Sequence, residues 1–136
     1  MSIKFDRHTF AALIMGATLG LGMTNASFAS DDLVEKGEKV FKKCKACHMV
    51  GDKAKNKVGP QLNDIIGRPA GSLEGYKFSK AMEEKGDDGL VWTEETLKAY
   101  LEKPRKFVPK TKMAFSGLRK QSDLDAIIAY LKDHSE

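Results

Sequence analysis

Residues 44–48 are CKACH, and these five positions hold both cysteines of the chain and one of its three histidines. The residues leading into them, LVEKGEKVFKKCKACH, set Val34, Gly37, Val40, Phe41, Cys44 and Cys47 at three- and four-residue steps. That spacing predicts an amphipathic helix with one apolar face, capped by Asp31 or Asp32 and ended by Gly51. On a helix, positions i, i+3 and i+4 share a face. Cys44, Cys47 and His48 therefore point the same way.

Four chemistries are open to two thiols and an imidazole so placed: a disulfide, a metal site, redox thiols, or attachment of a cofactor. A thioredoxin-like pair sits at a strand-to-helix turn, and the sequence shows no strand pattern around Cys44. Structural zinc requires four Cys or His ligands. Beyond the N-terminal segment only His134 could be added, and it lies among polar residues near the C-terminus, where a surface histidine is expected. Covalent haem attachment remains, with C-x-x-C-H as its signature. The spacing suits it: two thiols on one face can add to the two vinyl groups of one porphyrin edge, and His48 can reach the iron from one side.

The N-terminal segment predicts export. Lys4 and Arg7 precede an uncharged run of 14 residues, FAALIMGATLGLGM (10–23), and then NASFA with Ser27 and Ala29 as small residues. This pattern predicts a signal peptide over 1–29, cleaved after Ala29. The alternative, an uncleaved anchor, is disfavoured because the run falls short of the ~20 residues a spanning helix needs. Cleavage takes 29 of the 136 residues and leaves 107, residues 30–136, enough for one domain. Losing Lys4, Asp6 and Arg7 lowers the net charge from +4 to +3. With no arginine-rich stretch, nucleic acid is not an expected partner. An exported chain meets an oxidising compartment, and thioether formation removes both thiols from it.

Downstream, Gly and Pro punctuate NKVGPQ, GRPAGS, EGYKFS and KGDDGL. Short helical pieces are expected near Leu62–Ile66 and Ser79–Lys85. Thr93 opens a clear helix, TEETLKAYLEK, with Glu94 and Glu95 in the first turn and Pro104 as its stop. Ser122 with Asp125 is expected to cap the last helix, whose stripe is Leu124, Ile127, Ile128 and Leu131. The chain is thus expected to be all-α: three main helices and long loops in a single small domain. Loops this long usually line a site, and a large buried cofactor would give them something apolar to pack on. For the sixth iron position the candidates are His134, Met49, Met82 and Met113. Met49 adjoins His48 and cannot cross to the other face. Met113, in the loop PKTKMAF, can swing over a flat ring, but it could equally be ordinary core.

Six motifs in order, CKACH, VGPQL, GRPAG, a lone Trp92, VPKTKMAFSG and AIIAYLK, resemble the class I cytochromes c, close to the bacterial cytochrome c2 and mitochondrial type. The likeness spans residues 32–134. It implies an all-α fold around one covalently bound haem c, and a monomeric, periplasmic, non-enzymatic electron carrier that does not span the membrane. The implied partners are acidic docking surfaces on a cytochrome bc complex and on a respiratory oxidase or photosynthetic reaction centre. By position, the resemblance implies Cys44 and Cys47 as thioether residues, and His48 and Met113 as axial iron ligands. Pro60 matches the carbonyl that accepts from the proximal imidazole. Arg68 and Trp92 match residues near a propionate, and Tyr100 and Thr111 match hydrogen-bonding residues on the methionine side. Gly37, Phe41, Ile127 and Tyr130 match the contact of the terminal helices.

Two positions depart from the mitochondrial type, which often has tyrosine where Phe78 stands and asparagine where Met82 stands. Lys42, Lys43, Lys45, Lys106, Lys110, Lys112 and Lys120 flank the two ligand segments and form an expected positive docking ring. Other functions compatible with the motif are a haem domain dedicated to one dehydrogenase and a peroxidase-like protein with a labile sixth ligand.

Overall fold

A computed structural model describes residues 26–135; the hydrophobic run of the expected leader lies outside the described residues. Among these residues the chain forms five helices and no strand, apart from a single bridge pairing Pro69 with Val91. Helix α1 spans Ala26–Phe41, α2 Lys80–Asp87, α3 Glu94–Glu102, α4 Pro104–Phe107 and α5 Gln121–Asp133. The all-α expectation holds.

The frame is the crossing of α1 and α5. Gly37 makes it possible. A Cβ at Gly37 would overlap the Ala126 carbonyl and the Tyr130 Cβ, so only hydrogen allows the two backbones to come so close. Around this point Phe41 and Tyr130 pack with ring centroids 5.2 Å apart. On α5, Leu124, Ala126, Ile127, Ile128 and Leu131 are buried. The three-and-four spacing therefore reports the core face of this helix as expected.

Helix α3 joins the frame through ion pairs at its surface. Lys98 reaches Asp125 at 2.8 Å and Glu94 reaches Lys132 at 2.6 Å. Its start is set by Thr93, whose side chain accepts from the Thr96 amide while the Thr96 hydroxyl accepts from the Thr93 amide. The expected N-terminus is therefore correct, although the reciprocal partner is Thr96 rather than an acid. Pro104 ends α3, and it also opens α4. At the first helical position its missing N–H costs nothing and its fixed φ suits the turn.

Three expectations fail. Helix α1 begins at Ala26, so Asp31 and Asp32 lie within it and neither caps it. No helix forms at 62–66. Asp64 takes the left-handed conformation (φ 54), which a right-handed helix cannot contain. Its amide instead donates to the His134 carbonyl at 3.0 Å. The Ser122 cap is also absent. The cap position is Lys120, whose carbonyl accepts from Asp123 and Leu124, and Ser122 lies inside the helix. Asp125 is not free to close a capping box, because Gln121 and Lys98 already hold its carboxylate.

Filling the Gly37 gap is expected to be costly. Gly37→Ala should destabilise the holoprotein by about 1–3 kcal/mol, read as a lower denaturant midpoint with unchanged slope. An unaltered midpoint would contradict the close crossing.

Candidate functional site

CKACH does not continue α1 as a regular helix. The helix stops at Phe41, and residues 42–47 run on as turns. The turns nevertheless keep the expected side-chain placement. The Cys44 amide donates to the Phe41 carbonyl at 2.7 Å, that of Cys47 to Cys44 at 3.0 Å, and that of His48 to Cys44 at 2.9 Å. These are i→i+3 and i→i+4 bonds, so Cys44, Cys47 and His48 still face one cavity. The two thiols are not joined. Burial pushes the Cys44 thiol up to about 11. A redox thiol needs the opposite shift, so the thioredoxin-like alternative has no support in this environment.

His48 is held from behind. Its Nδ1 donates to the Pro60 carbonyl at 2.7 Å. The Gly59 amide donates to the Cys47 carbonyl and the Leu62 amide to that of Met49, both at 2.9 Å. The 59–62 segment is thereby fastened beneath the ring. Gly59 has no room for a side chain, since a Cβ would run into the imidazole. With Nδ1 donating, Nε2 carries the lone pair. Burial lowers the His48 pKa most; the Pro60 carbonyl opposes this and the charge of Lys57 adds to it. The ring is thus kept neutral, the form that binds a metal ion.

A second donor lines the cavity from the loop before α5. Met113 is half-buried there. Its thioether accepts from the Tyr100 hydroxyl at 3.9 Å, and its amide donates to the Thr111 hydroxyl oxygen at 3.3 Å. Tyr100 and Thr111 bond to each other at 2.9 Å. Tyr100 is buried between Trp92 and Phe107, with centroids 5.0 and 6.1 Å away. Burial raises its pKa and keeps it a phenol able to donate.

The remaining candidates separate cleanly. Met82 is buried and also lines the cavity. His134 does not line it. His134 keeps part of its surface exposed, and its ring also packs on Tyr130 at 4.6 Å while its Nδ1 donates to the Tyr130 carbonyl at 2.8 Å. Arg68 and Trp92 line the cavity, and the guanidinium donates to the carbonyls of Asn63 (3.2 Å) and Gln61 (3.4 Å). Phe78 lines it without a hydroxyl, but Tyr76, which the sequence reading passed over, lines it as well. Tyr76 packs edge-on against Phe78 at 4.8 Å, and its hydroxyl donates to the Val58 carbonyl at 2.7 Å. The i, i+2 spacing in an extended segment was the available signal.

The cavity has a volume of about 290 Å³ and a mostly apolar lining that includes Ile65, Leu97, Leu101, Ile127 and Leu131. Apolar lining of this kind is favourable only when something apolar covers it, at roughly 25 cal/mol per Å² of surface taken from water. The shell therefore fits a protein that folds around a large apolar group. Haem has an edge that two thiols can attack and a centre that an imidazole can bind, so the site is that of a c-type haem protein.

Comparison with known proteins agrees. The family model described as Cytochrome c matches residues 34–135. The chain is 56% identical to cytochrome c2 of Afifella marina over 101 residues, 74% of this chain and 82% of that one. It is 53% identical to cytochrome c-550 of Ancylobacter novellus over 97 residues, 71% of this chain and 91% of the relative. The solved structure of cytochrome c2 from Rhodospirillum centenum superposes with a TM-score of 0.72 at 41% identity, covering 76% of this chain and 98% of that one. The chain belongs to the cytochrome c family. It is an electron carrier rather than an enzyme, and its cofactor is covalently attached haem c.

Gly59→Ala should displace the His48 ring and lower the stability of the holoprotein by about 1–3 kcal/mol, the usual cost of overpacking. Thermal melts followed by haem absorbance would measure it; a wild-type melt would show that the ring tolerates a side chain beneath it.

Proposed function

We propose that Cys44 and Cys47 hold haem c through thioethers, that His48 Nε2 and Met113 Sδ bind its iron, and that the mature chain, residues 30–136, moves single electrons between membrane complexes in the periplasm. The observation that carries this reading is the pair of hydrogen-bonded donors on one cavity: His48 oriented by Pro60, and Met113 by Tyr100 and Thr111. Haem supplies a one-electron iron couple when bound there. The residues supply everything that tunes it.

Donation from Nδ1 to Pro60 sets the tautomer and strengthens Nε2 as a ligand. A neutral thioether and an apolar lining favour the less charged, reduced form and raise the potential. Two protein ligands leave no open position for oxygen or peroxide, which suits electron transfer rather than catalysis. Tyr100 and Thr111 limit the motion of Met113 and so keep the reorganisation small. Arg68 and Trp92, which line the cavity, would meet a propionate of the bound haem.

The partner surface is argued from charge. Lys42, Lys43, Lys45, Lys106, Lys110, Lys112 and Lys120 are all exposed. Lys43 is partly spent on Asp123 at 3.5 Å. The others offer a positive field to acidic docking patches on a cytochrome bc complex and on an oxidase or reaction centre. Such a field speeds association and fades with salt. Export rests on the leader sequence, and no helix among the described residues is long and apolar enough to cross a membrane.

Three measurements check these assignments. Met113→Ala should abolish the methionine–iron absorption band of the oxidised protein and open the iron to added ligands; an unchanged spectrum would remove Met113 from the site. Raising the ionic strength from about 0.01 to 0.15 M, which shortens the screening length from about 30 to 8 Å, should slow the bimolecular reaction with a membrane partner. A salt-independent rate would dismiss the lysine surface. The mass of secreted protein should match a chain starting at Ser30 plus one haem.

A further inference from the structure

Residues 48–51 and 60–63 are laced together by four hydrogen bonds. His48 Nδ1 donates to the Pro60 carbonyl at 2.7 Å, and the Leu62 amide donates to the Met49 carbonyl at 2.9 Å. The other two come from one side chain. Asn63 Oδ1 accepts from the Gly51 amide at 2.8 Å, and Asn63 Nδ2 donates to the Gly51 carbonyl at 3.0 Å. A side-chain amide carries the same donor and acceptor as a peptide. Asn63 thus imitates a stretch of backbone and closes the far end of a ladder whose first rung is the histidine bond. The 60–63 segment is also held from elsewhere. Arg68 donates to the Gln61 and Asn63 carbonyls, and Asn56 Oδ1 accepts from the Gln61 amide at 2.9 Å. The 48–51 segment instead leads directly into a loop. At Gly51 the chain turns with φ 91, and Asp52, Lys53, Lys55 and Lys57 beyond it are exposed.

We propose that Asn63 is a positioning residue for the histidine ligand: by clamping both backbone groups of Gly51 it keeps motion of the 52–57 loop from loosening His48 on Pro60, and so sets how strongly the imidazole donates to iron. This rests on His48 as an iron ligand. Local opening spreads through neighbouring bonds of one cooperative unit, so releasing the Gly51 rung loosens the rungs behind it. The Pro60 rung governs the electron density at Nε2. A firm bond there makes Nε2 the better donor, and a better donor favours ferric iron. Loosening the ladder therefore raises the potential.

The test uses proton NMR of the ferric holoprotein together with redox titration. Unpaired spin on iron moves the ring protons of a bound imidazole far outside their ordinary range, so the His48 signals report ligation directly. Asn63→Ala should exchange the His48 Nδ1 proton with solvent about tenfold faster, the effect of losing roughly one net hydrogen bond. Its iron couple should shift about threefold toward the reduced form, roughly 28 mV for one electron. Asn63→Asp keeps an acceptor for the Gly51 amide and should exchange more slowly than Asn63→Ala. Gly37→Ala, strained at the crossing of α1 and α5, should change neither exchange nor potential. If the wild-type His48 signals lie in the ordinary range, the ligand reading fails and the clamp falls with it. If they are shifted but Asn63→Ala matches wild type in exchange or in potential, the clamp alone is overturned. Equal acceleration in Gly37→Ala would also overturn it, since general loosening would then be the cause. So would Asn63→Asp exchanging as fast as Asn63→Ala, because the bond to the Gly51 amide would then contribute nothing.

Discussion

A helical chain of about a hundred residues that walls an apolar cavity has few apolar side chains left to bury against one another. Ile127 and Leu131 serve both purposes: they belong to the core of α5 and they line the cavity. Most of the remaining wall is not helix. It is backbone fastened to backbone and to side chains, at Gly59–Cys47, Leu62–Met49, Tyr76–Val58 and Lys112–Phe78. The group inside the cavity therefore contributes to the fold as much as to the chemistry. The crossing of α1 and α5 at Gly37 provides the one rigid frame from which the rest is hung.

Much of this was legible in sequence because local chemistry decided it. Thr93, the two acids after it and Pro104 bound α3 from residue types alone. CKACH carries its spacing rule with it, and that rule survived the loss of regular helix after Phe41, because i→i+3 and i→i+4 bonds persist through the turns. The stripe of α5 announced its buried face. The family resemblance pointed to Pro60, Tyr100 and Thr111; spacing could not have found Pro60 and Tyr100, which bond to His48 and Met113 12 and 13 residues away.

What was not legible depended on tertiary partners. Asp64 breaks an otherwise plausible helix at 62–66, and its amide finds its acceptor at the other end of the domain. Asp125 looked like the second half of a capping box, but Lys98 of another helix claims it. His134 is part-exposed as expected, but its contact with Tyr130 was not foreseen. Tyr76 bonds a carbonyl 18 residues before it, and Lys112, by residue type a solvent-facing charge, grips a carbonyl 34 residues away. For Asp64, Asp125 and Lys112 the deciding partner lies far along the chain, whereas His134 meets Tyr130 only one helical turn before it.

The contact at Gly37 also has a bearing on time. The first described helix finds its packing partner only in the last one, so the frame joins the two ends of the described residues. Contacts of such sequence separation are paid for late, after the entropy of closing the intervening loop. A chain emerging from its N-terminus cannot complete this domain until α5 has been made. CKACH, carried at the end of α1, is consequently available as an unfolded, accessible peptide for as long as synthesis lasts, and becomes enclosed only when the final helix arrives.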